Sequence, residues 1–354
     1  MQQLYLYHIE KDASVPMVRP TFGIRLPDSG PLASLPNLIA AARAAEERNF
    51  DAVWVHDRVI WGLEDHFSNI SSGSAETLAQ GQDPLFFESL TSLSYLAAVV
   101  KKVRLGIAVL IPPPRNPLVL AKQIAMVDVL SSGRLTLGIG VGLQSTSAKA
   151  FAQHGTPFEK RGEIVNEYLE AMNTIWSQPL ATYHGKHVHF DDVAIYPKPS
   201  QKPRPLTLIG GASKAATTRA AKLGDGWIPG YLNPKEIEAG VKNLEEVAHT
   251  MGRNETSFQI VTNTFASIDE SSQTAWKNAE LTIAKKLDAF QRKELFDETG
   301  SRFLIGSPSE MRIKIDAFLS AGVTQFELLF IYSSMNRLVE MLDTFEKTIL
   351  TSYR

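Results

Sequence analysis

Apolar residues in this chain fall into short runs, separated by longer stretches in which they recur every three or four positions. That alternation predicts strands and helices taken in turn. PTFGIRLP (20–27) predicts a first strand, and residues 36–49, rich in alanine and charge, predict a helix closed by Asn49. FDAVWVHD (50–57) is nearly all apolar, as expected of a parallel strand buried on both faces. Residues 58–83 show no period. A helix over 85–100, a strand at 103–110, a helix over 117–130 and a strand at 134–142 follow. A loop then leads to a helix over 160–176. TYHGKHVHFDDVAIYPKP (182–199) breaks the rhythm and predicts a β-hairpin. Strands at 206–211, 225–230, 258–268 and 324–331 complete the series, with helices over 213–223, 233–252, 309–321 and 335–350 and a charged, mostly helical insertion at 270–300.

Eight strands, each followed by a helix, predict an α/β fold: a (β/α)8 TIM barrel with insertions after strands two, four and seven. Residues 1–19 read as an N-terminal extension and 20–354 as one barrel domain. The chain has 354 residues, a net charge of -2 and no cysteine, which excludes disulfides, thiolate catalysis and Cys-ligated metal centres. The charge balance argues against nucleic acid or membrane as a main partner. No signal peptide is read in the first residues, so a cytoplasmic location is expected.

Candidate chemistry sits at the C-terminal ends of the predicted strands, where barrels build their sites. His56 and Asp57 end the second strand. Arg58 follows, and then a lid-like loop with Trp61, Asp65 and His66. LGIGVGLQ (137–144) resembles a dinucleotide fingerprint only superficially, because its third glycine is misplaced and a Ser/Thr-rich loop follows. Gly140 and Gly142 either serve strand packing or let a flat ring or a phosphate lie against the backbone. In IGGASKAATTRAA, the residues Gly210, Gly211, Ala212 and Ser213 open a helix. The amides around 211–214 could grip a phosphate, or Ser213 could simply be an N-cap. HGKHVH (184–189) invites a metal, with His187 and His189 expected on one face. A solvated hairpin is the preferred reading, and no metal is expected. The serine-hydrolase elbow and the P-loop are both absent.

Taken together, FDAVWVHD, RLGIAVLIPPPRNPLVLAKQIAMVDVLSSGRLTLGIGVG, FEKRGEIVNEYLEAMNTIWS and YPKPSQKPRPLTLIGGASKAATTRAAKLGDGWIP resemble the bacterial luciferase-like monooxygenase superfamily. The resemblance implies an oxidoreductase or monooxygenase that binds FMN or the deazaflavin coenzyme F-420 and acts on a small organic substrate. A separate flavin reductase and a homodimer are further implications. It places a non-proline cis peptide at Ala108 and Val109, and the cofactor beside Asp57, Gly140, Gly142 and Leu143. The phosphate would lie at Gly210, Gly211, Ala212 and Ser213, with His56, Asp57, Arg58 and His66 as groups for proton transfer or charge stabilisation. The chain departs from the deazaflavin sugar-phosphate dehydrogenases, which carry His and Glu where this sequence has Arg58 and Leu143. It departs from luciferases in having Val141 where they place a phosphate-binding arginine. IPPPRNPLVLAK is most similar to deazaflavin-dependent members, which puts F-420 ahead of FMN. A flavin-binding protein without turnover and a flavin-free sugar-phosphate barrel enzyme are the rival readings.

Overall fold

The computed structural model describes residues 19–60, 85–253, 258–283 and 302–354. Along the chain run β1 (Thr21–Arg25), α1 (Leu35–Glu47), β2 (Ala52–Val55), α2 (Ser89–Val99), β3 (Arg104–Leu110), α3 (Pro117–Leu130) and β4 (Leu135–Ile139). Next come α4 (Gln144–Gln153), α5 (Arg161–Ser177), the strands β5 (Ala181–His184) and β6 (His189–Val193), β7 (Leu206–Gly210) and α6 (Lys214–Leu223). The chain continues with β8 (Gly226–Ile228), α7 (Pro234–Thr250), β9 (Gln259–Ile268), α8 (Ser272–Ile283), β10 (Leu304–Gly306), α9 (Pro308–Ser320), β11 (Gln325–Phe330) and α10 (Met335–Thr348).

The spatial order is β11-β1-β2-β3-β4-β7-β8-β9, and β9 pairs back to β11, which closes a parallel barrel. The eight predicted barrel strands are these eight. β10, which the sequence pattern did not separate from the insertion before it, adds a short parallel strand beside the C-terminal half of β9. The predicted hairpin forms as β5–β6. It packs on the outside of α5, because Glu167 of that helix accepts the backbone N–H groups of Lys186, His187 and Val188. The expectation that His187 and His189 share a face is corrected. His189 pairs with His184 across the hairpin, whereas His187 lies in the turn beside Glu163. The predicted loop after β4 also contains a helix, α4, whose Ala150 and Phe151 are buried. Its polar start hid it, since Leu143 stands at the N-cap and offers no side-chain cap.

Strand residues alternate between two cores. Phe22, Ile24, Val53, Val55, Leu105 and Ile107 point outward into the large layer shared with the helices. Ala52, Trp54, Ala108, Leu208, Ile228 and Val261 form a separate cluster inside the barrel. The indole of Trp54 is wholly buried there because its neighbours on both flanking strands, Gly23 and Gly106, lack side chains. A Cβ on Gly106 would lie 2.1 Å from Trp54 Cε3. Gly106→Ala is therefore expected to lower stability by about 1–3 kcal/mol through overpacking. Gly230→Ala, where nothing lies within 4 Å of the added carbon, should be close to neutral. Equilibrium denaturation of the two variants checks the contrast.

Candidate active site

A cavity of about 480 Å3 opens at the C-terminal ends of the barrel strands, within the roughly 300–1,000 Å3 of small-molecule and cofactor sites. Its back wall is built around Val109, which follows a cis peptide from Ala108 at the irregular end of β3. The side chain of Val109 is seated between glycines. A Cβ on Gly140 would come 2.4 Å from Val109 Cγ2, and one on Gly210 would come 2.8 Å from Val109 Cγ1. These two glycines therefore set a smooth wall by making room for Val109. The packing reading of Gly140 is what the geometry shows. Gly142 lines the cavity with φ +81, beside Ser147 of α4. Leu143 is 69% exposed on the rim.

The β2 end of the rim is fixed by a buried carboxylate. Asp57 Oδ1 accepts from Ser89 Oγ at 2.8 Å and from Arg115 Nη2 at 2.6 Å. Its Oδ2 accepts from the Ile111 amide at 3.0 Å and from Arg115 Nη1 at 2.8 Å. Arg115 also reaches Glu88 at 3.0 Å, the residue that caps α2. Burial opposes the charge on Arg115, but hydrogen bonds to Asp57 and Glu88 override it and push its pKa up. So engaged, Asp57 is placed to position the rim. Both of its oxygens are committed to this network, which argues against the proton-transfer role expected from sequence.

His56 is arranged differently. Its backbone N–H and its Nδ1 are both engaged by Asp28, the ring contact being 3.0 Å. A carboxylate only accepts, so in the neutral ring the proton sits on Nδ1 and Nε2 is the basic nitrogen. Burial, reinforced by the Arg25 charge, holds the imidazole below its ordinary range against the pull of Asp28. His56 and Arg58 both line the cavity, and Arg58 lies over Phe86 at 5.9 Å. His66 lies outside the described residues.

Below the cavity, inside the barrel, Arg25 of β1 pairs with Glu327 of β11, and Asn263 of β9 donates to the same carboxylate. Arg25 also donates to the Ala108 carbonyl at 3.3 Å, and its Nη1 is a buried donor with no hydrogen-bond partner. Arg25 and Asn263 line the cavity floor. Burial pushes the Glu327 carboxyl up to about 7, with Arg25 acting in the opposite sense. The signal for this pair was available: a charged residue in a strand buried on both faces needs a partner, and TFGIRLP and TQFELLFI each contain one.

At the mouth, Gly210, Gly211 and Ala212 line the cavity. Gly211 has φ +117, a conformation that favours glycine. Its amide bonds Ile228 O and its carbonyl accepts from Trp227 Nε1. Ser213 is not on the wall. Its Oγ caps α6 by accepting from the Ala216 amide. First-turn amides of a helix have no intrahelical acceptor, and residues 211–215 are exposed. Of this turn, Gly210, Gly211 and Ala212 face the cavity, and the start of α6 lies just beyond them.

The chain is thus a closed parallel barrel whose cavity has a wall lined with glycine and a helix-opening turn at its mouth. The luciferase-like monooxygenase family matches residues 20–325, and this chain belongs to that family. Its relatives include an F420-dependent glucose-6-phosphate dehydrogenase of Kineococcus radiotolerans, 26% identical over 79% of this chain and 82% of the relative. An FMNH(2)-dependent dimethylsulfone monooxygenase of Pseudomonas putida is 27% identical over 56% of this chain and 53% of its own length. The fold matches that of monooxygenase RslO1 from Streptomyces bottropensis with a TM-score of 0.77 and 21% identity, covering 94% of this chain and 100% of that one. The chain is an oxidoreductase whose homologues use FMN or coenzyme F-420.

The raised pKa of Glu327 has a sign that can be tested. The folded protein holds the proton more tightly than the unfolded chain, so this group's contribution is complete below about 4.5 and is lost as pH rises through about 7. Between pH 5 and pH 8 the stability of the wild type relative to Glu327→Gln should therefore fall, by an amount on the order of 1–3 kcal/mol. Urea denaturation of both proteins at the two pH values measures it. A constant difference, or one that grows in favour of the wild type, would contradict the assignment.

Proposed function

We propose that this chain, as one barrel domain over residues 20–354, uses coenzyme F-420 ahead of FMN to exchange two electrons with a small, largely apolar organic substrate. The observation that carries the reading is the glycine-lined cavity with a neutral imidazole, His56, at its edge. The residues fit a flat ring system. Ala108 and Val109 would back the ring, Gly140 and Gly142 would flank it, and Gly210–Ala212 with the first turn of α6 would take the phosphate. When bound, the cofactor supplies hydride-type chemistry at its central ring. The protein's share is positioning, exclusion of water and a proton on or off Nε2 of His56. Arg58 and Arg25 would stabilise negative charge from the rim and the floor.

Two features support the deazaflavin. Val141 removes the arginine that the luciferase pattern places at the flavin phosphate, and the similarity to the F420-dependent relative spans more of both chains. Val59, Ile60, Phe86, Ile111 and Pro114 on the wall favour an apolar substrate over a sugar phosphate. Arg58 and Leu143, in place of the sugar-phosphate branch's His and Glu, agree with that. The second reading is FMN, reduced by a separate reductase, with oxygen as co-substrate.

Titration with F-420 and with FMN, followed by absorbance and fluorescence, separates these readings. F-420 is expected to bind at least about tenfold more tightly, a difference of about 1.4 kcal/mol. Tighter binding of reduced FMN would transfer the proposal to the second reading, and binding of neither would remove both. His56→Gln should lower kcat by about 10²–10⁴ while leaving cofactor affinity intact. In the wild type, the acid limb of the rate profile should fall below the ~6.5 of free histidine, and the variant should lack it.

A further inference from the structure

Away from the cavity, the β5–β6 hairpin gathers a second group of chemistry-bearing side chains. His184 and His189 stand directly opposite each other on the two strands. Their rings stack at 4.3 Å with an interplanar angle of 12°. Asp191 is two residues beyond His189, on the same face of the strand. Its Oδ1 lies 2.6 Å from His184 Nε2, and its Oδ2 lies 3.1 Å from His189 Nε2. One ligand atom from each of the three residues falls within 4.8 Å of the others. All three are exposed.

We infer that His184, His189 and Asp191 form a surface site for a divalent transition-metal ion, best matched to zinc. Two imidazoles and one carboxylate select zinc and its borderline neighbours over magnesium or calcium, which prefer all-oxygen sets. Zinc binds these donors at about 2.0–2.2 Å in tetrahedral geometry. Neighbouring ligand atoms around such an ion stand a little over 3 Å apart, close to the two carboxylate–imidazole spacings already present. The carboxylate now bonds both Nε2 atoms, so the three donor groups face one another. Water would fill the fourth position.

The hairpin is held in register for this. Glu167 takes three turn amides, Lys186 reaches Glu163 at 2.9 Å, and Tyr183 donates to Glu170 at 2.7 Å. Little ordering is therefore left for the ion to impose. An isolated two-stranded hairpin is marginal in water, and an ion bridging both strands would staple this one to itself. No cysteine competes for the metal, and none of the three residues lines the cavity. The site is independent of the redox reading.

The test uses the full chain without a histidine tag, titrated with zinc sulfate by calorimetry and with Co2+ by visible absorbance. One equivalent of zinc is expected to bind, and zinc should raise the Tm. His184→Ala and His189→Ala should each weaken binding by at least about tenfold, and the double variant should lose the zinc-dependent Tm rise. The positions are exposed, so the variants should fold, and circular dichroism confirms it. Absence of zinc binding by the wild type, or equal binding by the double variant, would overturn the proposal.

Discussion

Asp57 accepts four hydrogen bonds from two separate stretches of chain: from Ser89 at the start of α2, and, in the loop after β3, from the Ile111 amide and both terminal nitrogens of Arg115. A buried carboxylate is costly unless every lone pair is met, so this one fixes its neighbours as firmly as they fix it. It sets where β3 ends, and hence where the Ala108–Val109 peptide lies. It also sets where His56 and Arg58, on either side of it, meet the cavity. The Ser29–Phe86 bridge ties the same rim to the loop after β1. If the Asp57 cluster loosened, the back wall, the imidazole and the rim arginine would lose their common reference.

The back wall is a packing solution with a chemical consequence. Val109 needs room on both sides, and Gly140 and Gly210 provide it from the ends of β4 and β7. Side chains at those glycines would push Val109 into the cavity. With them absent, the wall is largely hydrocarbon and backbone. The mouth follows the same economy. Gly211, at φ +117, lets the chain turn from β7 into α6 at the edge of the cavity.

Much of this was legible in the sequence, and the reasons divide cleanly. The barrel strands announced themselves as apolar runs between helical periods, and strand ends are where such barrels place polar groups. His56, Asp57, Arg58, Gly140 and Gly210 could therefore be located in advance. Their roles could not. Whether Asp57 is free or saturated depends on Arg115, 58 residues away, and no local pattern carries that pairing. The same holds for His189, whose partner is set by hairpin register, whereas Ser213 takes the N-cap role that the local pattern offered as one of its two readings. α4 was hidden because it begins with polar residues and an uncapped Leu143. Arg25 and Glu327 were readable in principle, as charges in strands with no solvent face.

That interior pair also bears on the cavity above it. Arg25 touches the Ala108 carbonyl, so its guanidinium sits directly against the back wall. With the Glu327 carboxyl ionised, the pair is neutral overall. With it protonated, one positive charge remains under the floor of the cavity. A carboxyl pushed up to about 7 changes state near neutrality, where unperturbed glutamates, at about 4.3, are fully ionised. The charge beneath the wall is therefore more positive on the acid side of that transition. The charge state of Glu327 is thus set by the balance between burial, which favours the neutral carboxyl, and Arg25, which favours the ionised one.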